Sequence, residues 1–397
     1  MSSEYPNVLL AADWGIEPHK RAAYKANVAQ RRIERVEESE WNLPRLLEAA
    51  RREVEAGHGP VLLSVDLVIG VPAAYFQAVQ SAPQWSNVAN FIDWLPALPD
   101  DPAFWKTTEQ GIDWSIEHPF FSAPRGKGSL KALYEEIGYE LLRHVDIKCR
   151  SNSPFMVSGI PGTVGSGTRA FWQELAEEIG GERDFKIWPF EGPLAELFDQ
   201  HDIIVAENYP GITYTAAIAA NLPSRKIYVS KTDADVRREA LELLEQAKWI
   251  AEASVKLPDL QPAESSEDEF DALMAAAGQL RCVLAEHSLE DPSLDDPVAE
   301  GGILLTSVVD FTQNGTKFKP STITEHKSKT RKSGKPKSTP KDRKCPIPGC
   351  TKVFRKTRSG WDAHVGSLVT HKEWHPEITD PELRRQKFEE EFPEFFE

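Results

Sequence analysis

Apolar runs that end in an acidic residue alternate with an amphipathic segment in the first part of the chain. The run NVLLAADWG ends in Asp13 and a glycine, and the run VLLSVDLVIGVP carries Asp66. Between them, from Asn42 to Glu55, apolar residues recur at helical spacing until the GHGP cluster at 57–60 ends the pattern. Strand, helix and strand in this order are typical of α/β sheets, so the pattern predicts an α/β fold.

Later segments extend this pattern. The run DIIVAENYP contains Glu207 and predicts a strand, and PFMVSG predicts another. Helical spacing predicts helices over GSLKALYEEIGYELLRHV, RAFWQELAEEIG, the residues from Val236 to Ala253, and DEFDALMAAAGQLRCVLA. From 75 to 121, tryptophans lie among prolines and acids, which indicates an irregular insertion packed over the sheet. Those rings either bury against the core or stack on unpaired bases.

The bulk composition is that of a globular protein with room for two domains, because the 397 residues are 40% hydrophobic. No apolar stretch is long enough to span a membrane, and the start lacks a basic segment followed by an apolar run and a cleavage site. We therefore expect a cytoplasmic protein without a membrane partner. The four cysteines do not form the pattern of a disulfide framework.

Charge is divided unevenly along the chain. The net charge of -16 disfavours nucleic-acid binding, but the stretch from Lys317 to Lys344 has eleven basic residues against Glu325 and Asp342. Residues 312–343 contain almost no large apolar side chains, which predicts a flexible basic linker. This linker would join a domain at 1–311, with its insertion at about 75–121, to a small module with an acidic tail at 344–397.

The acidic residues of the first domain are candidates for chemistry. Acids at strand ends that converge with a helix provide the oxygen ligands that Mg²⁺ or Mn²⁺ prefers. Acids at these places are also commonly solvated, and acids in the first turn of a helix stabilise the helix dipole. The candidate catalytic residues are Asp13, Asp66, Glu207, Asp271 and Asp268.

The motifs ADWG, VDLVIGVP, AENYP, EDEFDALMAAA and AEGGILL occur in an order that resembles the family catalogued as domain of unknown function 429. The resemblance covers about residues 5–311. It implies a ribonuclease-H-like mixed sheet with helices on both faces, related in fold to Holliday-junction resolvases. It also implies an acidic site at Asp13, Asp66, Glu207 and Asp271, with Asp268 and Asp271 similar to the helix acids of resolvases. The expected activity of such a family is that of a nuclease.

The C-terminal module carries a pattern that resembles a C2H2 zinc finger. Cys345 and Cys350 flank a Pro/Gly knuckle, and His364 follows at the distance expected of a ligand on the next helix. We expect His371 as the fourth ligand, with His375 as the alternative. Zinc bound to two thiolates and two imidazoles would replace the core that so short a module cannot build.

These features support two functional hypotheses. The first is a metal-dependent nuclease, in which the basic linker and the finger residues Arg355, Lys356 and Arg358 bring nucleic acid to the acids through weak, salt-sensitive contacts. The second is a noncatalytic adaptor that binds nucleic acid or protein. The loop GIPGTVGSGT at 159–168 adds a third hypothesis, nucleotide binding, although tight packing or a flexible turn explains such glycines more simply.

Overall fold

A computed structural model describes residues 5–98, 102–108, 114–122, 129–138, 140–157, 164–291, 296–318, 343–347, 350, 353–354, 374–378 and 381–392. The chain forms two compact units, Met1–Thr322 and Ile323–Glu397. Within the described residues, no helix has the length and apolar character needed to cross a membrane.

The described strands and helices follow one another in α/β fashion. The strands are β1 (Val8–Asp13), β2 (Ala22–Asn27), β3 (Arg32–Val36), β4 (Val61–Val65), β5 (Phe121–Ser122), β6 (Met156–Val157), β7 (Lys186–Ile187), β8 (Ile203–Glu207), β9 (Ser224–Arg225), β10 (Ile227–Tyr228), β11 (Val309–Asp310), β12 (Thr316–Lys317), β13 (Arg343–Lys344) and β14 (Val353–Phe354). The helices are α1 (Leu43–Glu55), α2 (Ala73–Ser81), α3 (Phe91–Trp94), α4 (Ser129–Ile137), α5 (His144–Cys149), α6 (Val164–Gly180), α7 (Leu194–Gln200), α8 (Pro210–Ile218), α9 (Ala234–Glu245), α10 (Lys248–Ala253), α11 (Gln261–Ser265), α12 (Glu267–Leu284) and α13 (Pro381–Glu391).

A six-stranded mixed sheet in the order β3-β2-β1-β4-β8-β7 organises the first unit. Strands β1, β2 and β3 form an antiparallel meander, whereas β4, β8 and β7 run parallel to β1. In this register Val65 of β4 lies between Ala12 of β1 and Glu207 of β8. The carboxyl ends of the three central strands therefore meet at one edge of the sheet, which is where the predicted acids lie.

Helices cover both faces of this sheet, because side chains of successive strand residues point to opposite sides. From β1, Leu10 packs into a core shared with α1 and α6, whereas Leu9 packs into a second core shared with α8 and α12. Asn42 begins α1 by accepting a hydrogen bond from the backbone N–H of Arg45, which satisfies a donor at the helix start. The predicted mixed α/β fold is thereby confirmed.

The predicted insertion contributes to the first of these cores. Trp85 and Trp94 are buried, while Trp105 and Trp114 are partly buried and pack against the same cluster. Trp94 makes edge contacts with Trp172 of α6 at a centroid distance of 6.2 Å. Trp85 and Trp94 are therefore core residues that are not exposed for stacking on bases, whereas Trp105 and Trp114 pack on the core and keep partial exposure.

Three predicted helices and the predicted linker differ from the structure in their bounds. The helix over 128–145 is replaced by α4 and α5, because α4 ends before Gly138, whose φ of 93° is not helical. The residues from Val236 to Ala253 form α9 and α10, separated at Ala247, whose backbone is extended. Helix α6 begins at Val164, earlier than predicted. The first unit also extends past the predicted boundary at 311, because β12 pairs with β10.

The glycines at the start of α6 have a packing role. A Cβ atom on Gly165 would lie 2.3 Å from the carbonyl oxygen of Met156, and one on Gly167 would lie 3.0 Å from a methyl carbon of Leu67. Close packing thus requires glycine at position 165, whereas a side chain at position 167 would need Leu67 to shift. The preceding part of the loop, 159–163, lies outside the described residues.

The second unit contains a short antiparallel pair, β13 with β14, and the helix α13. Its small apolar cluster contains Cys345, Ile347 and Phe388, with Trp374 packed against them.

Candidate metal centre

Three of the predicted acids meet at the edge of the sheet. Asp13 is the last residue of β1, Asp66 directly follows β4, and Asp271 lies in α12, which packs across β1 and β2. One carboxylate oxygen of each lies within 4.8 Å of one from each of the other two. The arrangement arises because parallel strands end at the same edge and α12 crosses that edge near its N-terminus.

Burial and mutual repulsion make these carboxyls hard to ionise. Asp13 and Asp271 are buried and Asp66 is half-buried. The pKa of Asp66 is raised to about 7, chiefly by burial, with Asp271 acting in the same direction and the charge of Lys231 opposing it. Burial also raises the pKa of Asp13, and the neighbouring charge of Asp271 adds to the effect. A cation placed between the three carboxylates would relieve this repulsion.

Lys231 and Tyr214 both contact Asp271. The Lys231 ammonium donates to Oδ2 of Asp271, and the Tyr214 hydroxyl donates to Oδ1. Although burial lowers the pKa of Lys231, the charges of the three carboxylates outweigh burial and raise it. The lysine therefore supplies one positive charge against up to three negative charges.

Asp268 lies three residues before Asp271 on α12. It is half-buried and lines the same cavity as Asp13 and Asp66. Ser266 caps the helix by accepting a hydrogen bond from the backbone N–H of Glu269. Asp268 therefore adds negative charge beside the three carboxylates, and its position also suits the helix dipole.

Glu207 lies at the end of β8, but its carboxylate is bound by another partner. The Arg143 guanidinium donates to both oxygens of Glu207 at 2.7 Å, and the backbone N–H of Ile69 donates to Oε2 at 2.8 Å. Arg143 also binds both oxygens of Asp146 at 2.9 Å. The pKa of Glu207 is raised to about 7 because the effect of burial exceeds the opposing effect of the Arg143 charge. Among the described residues, Glu207 is not part of the group of three.

A cavity of about 440 Å³ opens onto this edge and is lined by Asp13, Asp66, Glu207, Asp268 and Lys231. Two further lining residues have buried polar atoms without a partner in the described structure. Asn208 is 2% exposed with an unpaired Oδ1, and Trp14 is 4% exposed with an unpaired Nε1. Buried polar atoms usually have partners, so Asn208 and Trp14 each offer an atom that can pair with a polar group in the cavity.

The donor set suits a hard divalent ion. All three groups offer carboxylate oxygens, which Mg²⁺ and Mn²⁺ prefer, and no thiol or imidazole lies among them. When all three are ionised, they keep a net negative charge even with Lys231 beside them. The residues present therefore fit such an ion, with Asp13, Asp66 and Asp271 as its holders.

The predicted zinc ligands are described only in part. Cys345 is buried, its thiol is in hydrogen-bond contact with that of Cys350, and burial raises its pKa to about 11. The paired strands β13 and β14 bring the two thiols together, which fits half of a zinc site. His375 instead contacts Glu391 at 2.6 Å and Glu377 at 2.7 Å. Outside the described residues lie His364, His371, Arg355, Lys356 and Arg358.

Lys231, Tyr214 and Arg143 were not predicted from the sequence. Lys231 lies in a polar turn, and nothing in SKTDAD indicates a contact with a helix 40 residues away. Arg143 lies in ELLRHV, where a charged residue normally indicates a solvated helix face. Its pairing with Asp146 at helical spacing was the one available signal.

Comparison of the chain with protein-family models, with curated proteins and with solved structures finds no significant match. The functional argument therefore depends on the fold and on the geometry of this centre.

Proposed function

We propose that this chain is a metal-dependent nuclease-like enzyme that hydrolyses phosphodiester bonds in nucleic acid. The observation that carries the proposal is the meeting of Asp13, Asp66 and Asp271, whose oxygens lie within 4.8 Å of one another beside an open cavity. Buried carboxylates that lie this close together favour a hard cation, because a cation offsets the repulsion that otherwise keeps them protonated.

The fold supports the same proposal. The mixed sheet has helices on both faces and acids at the ends of β1 and β4, with a further acid on a helix that crosses the sheet. The resemblance to the ribonuclease-H-like family catalogued as domain of unknown function 429 implies a mixed sheet with acids at its strand ends, and it also implies Glu207 among those acids. Folds of this kind host many activities, so the fold alone does not carry the proposal.

The residues of the site have distinct roles in the proposed reaction. A bound Mg²⁺ or Mn²⁺ would supply Lewis-acid stabilisation of the charge that develops on the phosphoryl oxygens. Asp13, Asp66 and Asp271 would hold the ion, and Lys231 and Tyr214 fix the orientation of Asp271. Asp268 lies at the same cavity, where a carboxylate is suited to accept a proton from water.

The C-terminal part of the chain is proposed to bind zinc and to attract nucleic acid. Cys345 and Cys350 would bind zinc together with two histidines, His364 and either His371 or His375. The basic stretch from Lys317 to Lys344 would contact phosphates nonspecifically, and the finger residues Arg355, Lys356 and Arg358 would add to these contacts. A cytoplasmic location and a protein partner also remain predictions from the sequence.

The test is hydrolysis of labelled single-stranded, duplex and branched DNA and RNA by the full chain in Mg²⁺ or Mn²⁺. Asp13→Asn, Asp66→Asn and Asp271→Asn each remove a charge at nearly constant volume and should lower the rate by at least about 100-fold. Asp235→Asn is the matched control, because its side chain is 78% exposed and pairs only on the surface with Arg238. Cleavage that persists in the three site variants would reject this centre.

One observation favours a second candidate function, a noncatalytic adaptor. The Lys231 ammonium already contacts Asp271, so part of the negative charge is neutralised without any metal. In that case the sheet domain would be a scaffold, and the linker and finger would bind nucleic acid or protein. Salt-dependent binding of nucleic acid without hydrolysis of any substrate in Mg²⁺ or Mn²⁺ would support the adaptor.

A further inference from the structure

Two basic residues line the same cavity as the carboxylates and have no acidic partner among the described residues. Lys226 is only 3% exposed, and its ammonium donates to the carbonyl oxygen of Cys149 at 2.7 Å and to the Tyr209 hydroxyl at 3.2 Å. Arg150 has an exposed side chain that lines the cavity beside it. The role of these two cations is not explained by the holding of a metal ion.

A buried ammonium without a carboxylate is unfavourable, since burial penalises the charged form. Burial lowers the pKa of Lys226, and the charge of Arg150 lowers it further. The chain has 62 acidic residues, yet in the described structure none of them pairs with either cation. A bound anion would supply the missing negative charge to both.

The surroundings of Lys226 connect it to the carboxylates. Its ammonium lies 4.5 Å from the ring centre of Tyr209 and 5.1 Å from that of Tyr228, which is exposed. Burial raises the pKa of Tyr209, and the nearby charge of Asp66 raises it further. Asp66, Tyr209 and Lys226 line the same cavity, so one ligand in the cavity can reach both the carboxylate and the ammonium.

We propose that Lys226 and Arg150 bind a phosphate group of the substrate that neighbours the phosphodiester to be hydrolysed. This inference rests on the proposed function and specifies its substrate as a strand that carries a second phosphate next to the cleaved bond. Two cations suit a phosphate better than a single one, because an arginine presents paired donors and a lysine presents a point charge.

The first test is binding without divalent ions, so that no cleavage occurs. The full-length chain is titrated with dithymidine monophosphate, either unmodified or with a terminal phosphate at its 5′ or 3′ end. One of the phosphorylated forms should bind at least about tenfold more tightly than the unmodified form. Arg150→Gln and Lys226→Met should each remove most of this preference, and higher salt should reduce it.

The matched control is Arg225→Gln. Arg225 is adjacent to Lys226 in sequence but lines a separate hollow with Asp310, so its removal should leave the preference unchanged. Lys226 is buried, and Lys226→Met can lower stability, whereas Arg150→Gln changes an exposed side chain and keeps the test independent of folding. Equal affinity of the wild-type chain for all three ligands would overturn the proposed subsite.

Turnover of the same ligands with Mn²⁺ separates the two proposals. Hydrolysis without any preference for a terminal phosphate would support the proposed function and overturn the subsite. Preferential binding that depends on Lys226 and Arg150, without hydrolysis, would support the subsite and count against the nuclease.

Discussion

The ammonium of Lys231 lies against one carboxylate oxygen of Asp271, within the group of three carboxylates at the sheet edge. Tyr214 donates to the other oxygen of Asp271, so the orientation of that carboxylate is fixed from two sides. A divalent ion held by the three carboxylates would share these oxygens with the ammonium. Lys231 should therefore weaken metal binding while stabilising the metal-free protein.

Lys231→Met should raise the affinity for Mn²⁺ at pH 8 by at least about tenfold, because the competing charge is removed. The same variant should unfold more easily without metal, because three carboxylates then lack a cation, and Mn²⁺ should restore much of the loss. Titration calorimetry measures the affinity, and thermal unfolding with and without Mn²⁺ measures the stability.

The control for this prediction is Lys248→Met. Lys248 pairs with Glu252 on the surface of α10, where its side chain is 87% exposed. Its removal should change neither Mn²⁺ affinity nor the response of stability to Mn²⁺. An unchanged affinity in Lys231→Met would mean that the ammonium does not compete with the ion.

The stability of the metal-free chain should depend on the protonation of Asp66. Its pKa is raised to about 7 by burial, so the folded state binds this proton more tightly than the unfolded state does. The stabilisation is complete below the unfolded pKa and is lost as pH rises through about 7. Between pH 5 and 7 the free energy of unfolding of the wild-type chain should fall by up to about 1.4 kcal/mol per pH unit relative to that of Asp66→Asn. Urea unfolding measures this difference.

Metal binding should release protons for the same reason. Near pH 6.5 part of Asp66 is protonated, and Asp13 also has a raised pKa, so an ion must displace protons from these carboxyls. Calorimetry in two buffers of different ionisation enthalpy measures the number released. Binding of Mn²⁺ without any proton release at pH 6.5 would contradict the raised pKa values.

Arg143 should be a major contributor to stability. It is fully buried and binds both Asp146 and Glu207, so Arg143→Met would leave two buried carboxylates unpaired. The expected loss in the free energy of unfolding is about 3–5 kcal/mol at pH 8. Arg51→Gln is the comparison, because Arg51 makes a similar two-point contact with Asp184 near the surface, where the expected loss is at most about 1 kcal/mol.

Glu207→Gln tests whether Glu207 is a metal ligand in addition to the three aspartates. The resemblance implies Glu207 among the acids of the site, whereas the structure binds it to Arg143. If Glu207 stays paired with Arg143 when metal binds, Glu207→Gln should reduce Mn²⁺ affinity by less than about threefold, since only a nearby charge is lost. Asp66→Asn should reduce the affinity by at least about 100-fold, because it removes a ligand. Equal losses in both variants would add Glu207 to the ligands.

The sequence predicted those strands and helices whose structure follows from the pattern of their own residues. Strands β1, β4 and β8 are fully buried and therefore read as continuous apolar runs. Strands β2 and β3 were both missed. Strand β3 gives a weak pattern because it is an edge strand with one buried residue, Ile33, among charged ones. Helix α8 was missed as well, because its start is the PG dipeptide at 210–211, which normally indicates a turn.

In the candidate site, too, local patterns were predictable and long-range contacts were not. Asp13, Asp66 and Asp271 could be predicted because each follows from a local rule, an acid at a strand end or in the first turns of a helix. Lys231 could not, since its contact with Asp271 depends on how the turn after β10 packs against α12. The partner of Glu207 was hidden for the same reason, because Arg143 and Glu207 are 64 residues apart.

The zinc prediction can be tested on the full chain by metal analysis. One tightly bound zinc per chain is expected, and Cys345→Ser and Cys350→Ser should each abolish it, because a closed site needs all four ligands. The thiol pKa of Cys345, raised to about 11 by burial, implies that zinc must displace a proton from it. Zinc affinity should therefore rise steeply with pH, as measured by competition with a coloured chelator.

The fourth ligand can be assigned with paired histidine variants. His375 contacts Glu391 and Glu377, which raise its pKa and favour the imidazolium form, and that form cannot bind zinc. We therefore expect that His364→Gln and His371→Gln each lose the bound zinc. His375→Gln should retain it. Retention of zinc in His371→Gln combined with its loss in His375→Gln would reverse the assignment, and it would mean that zinc replaces both glutamates as the partner of His375.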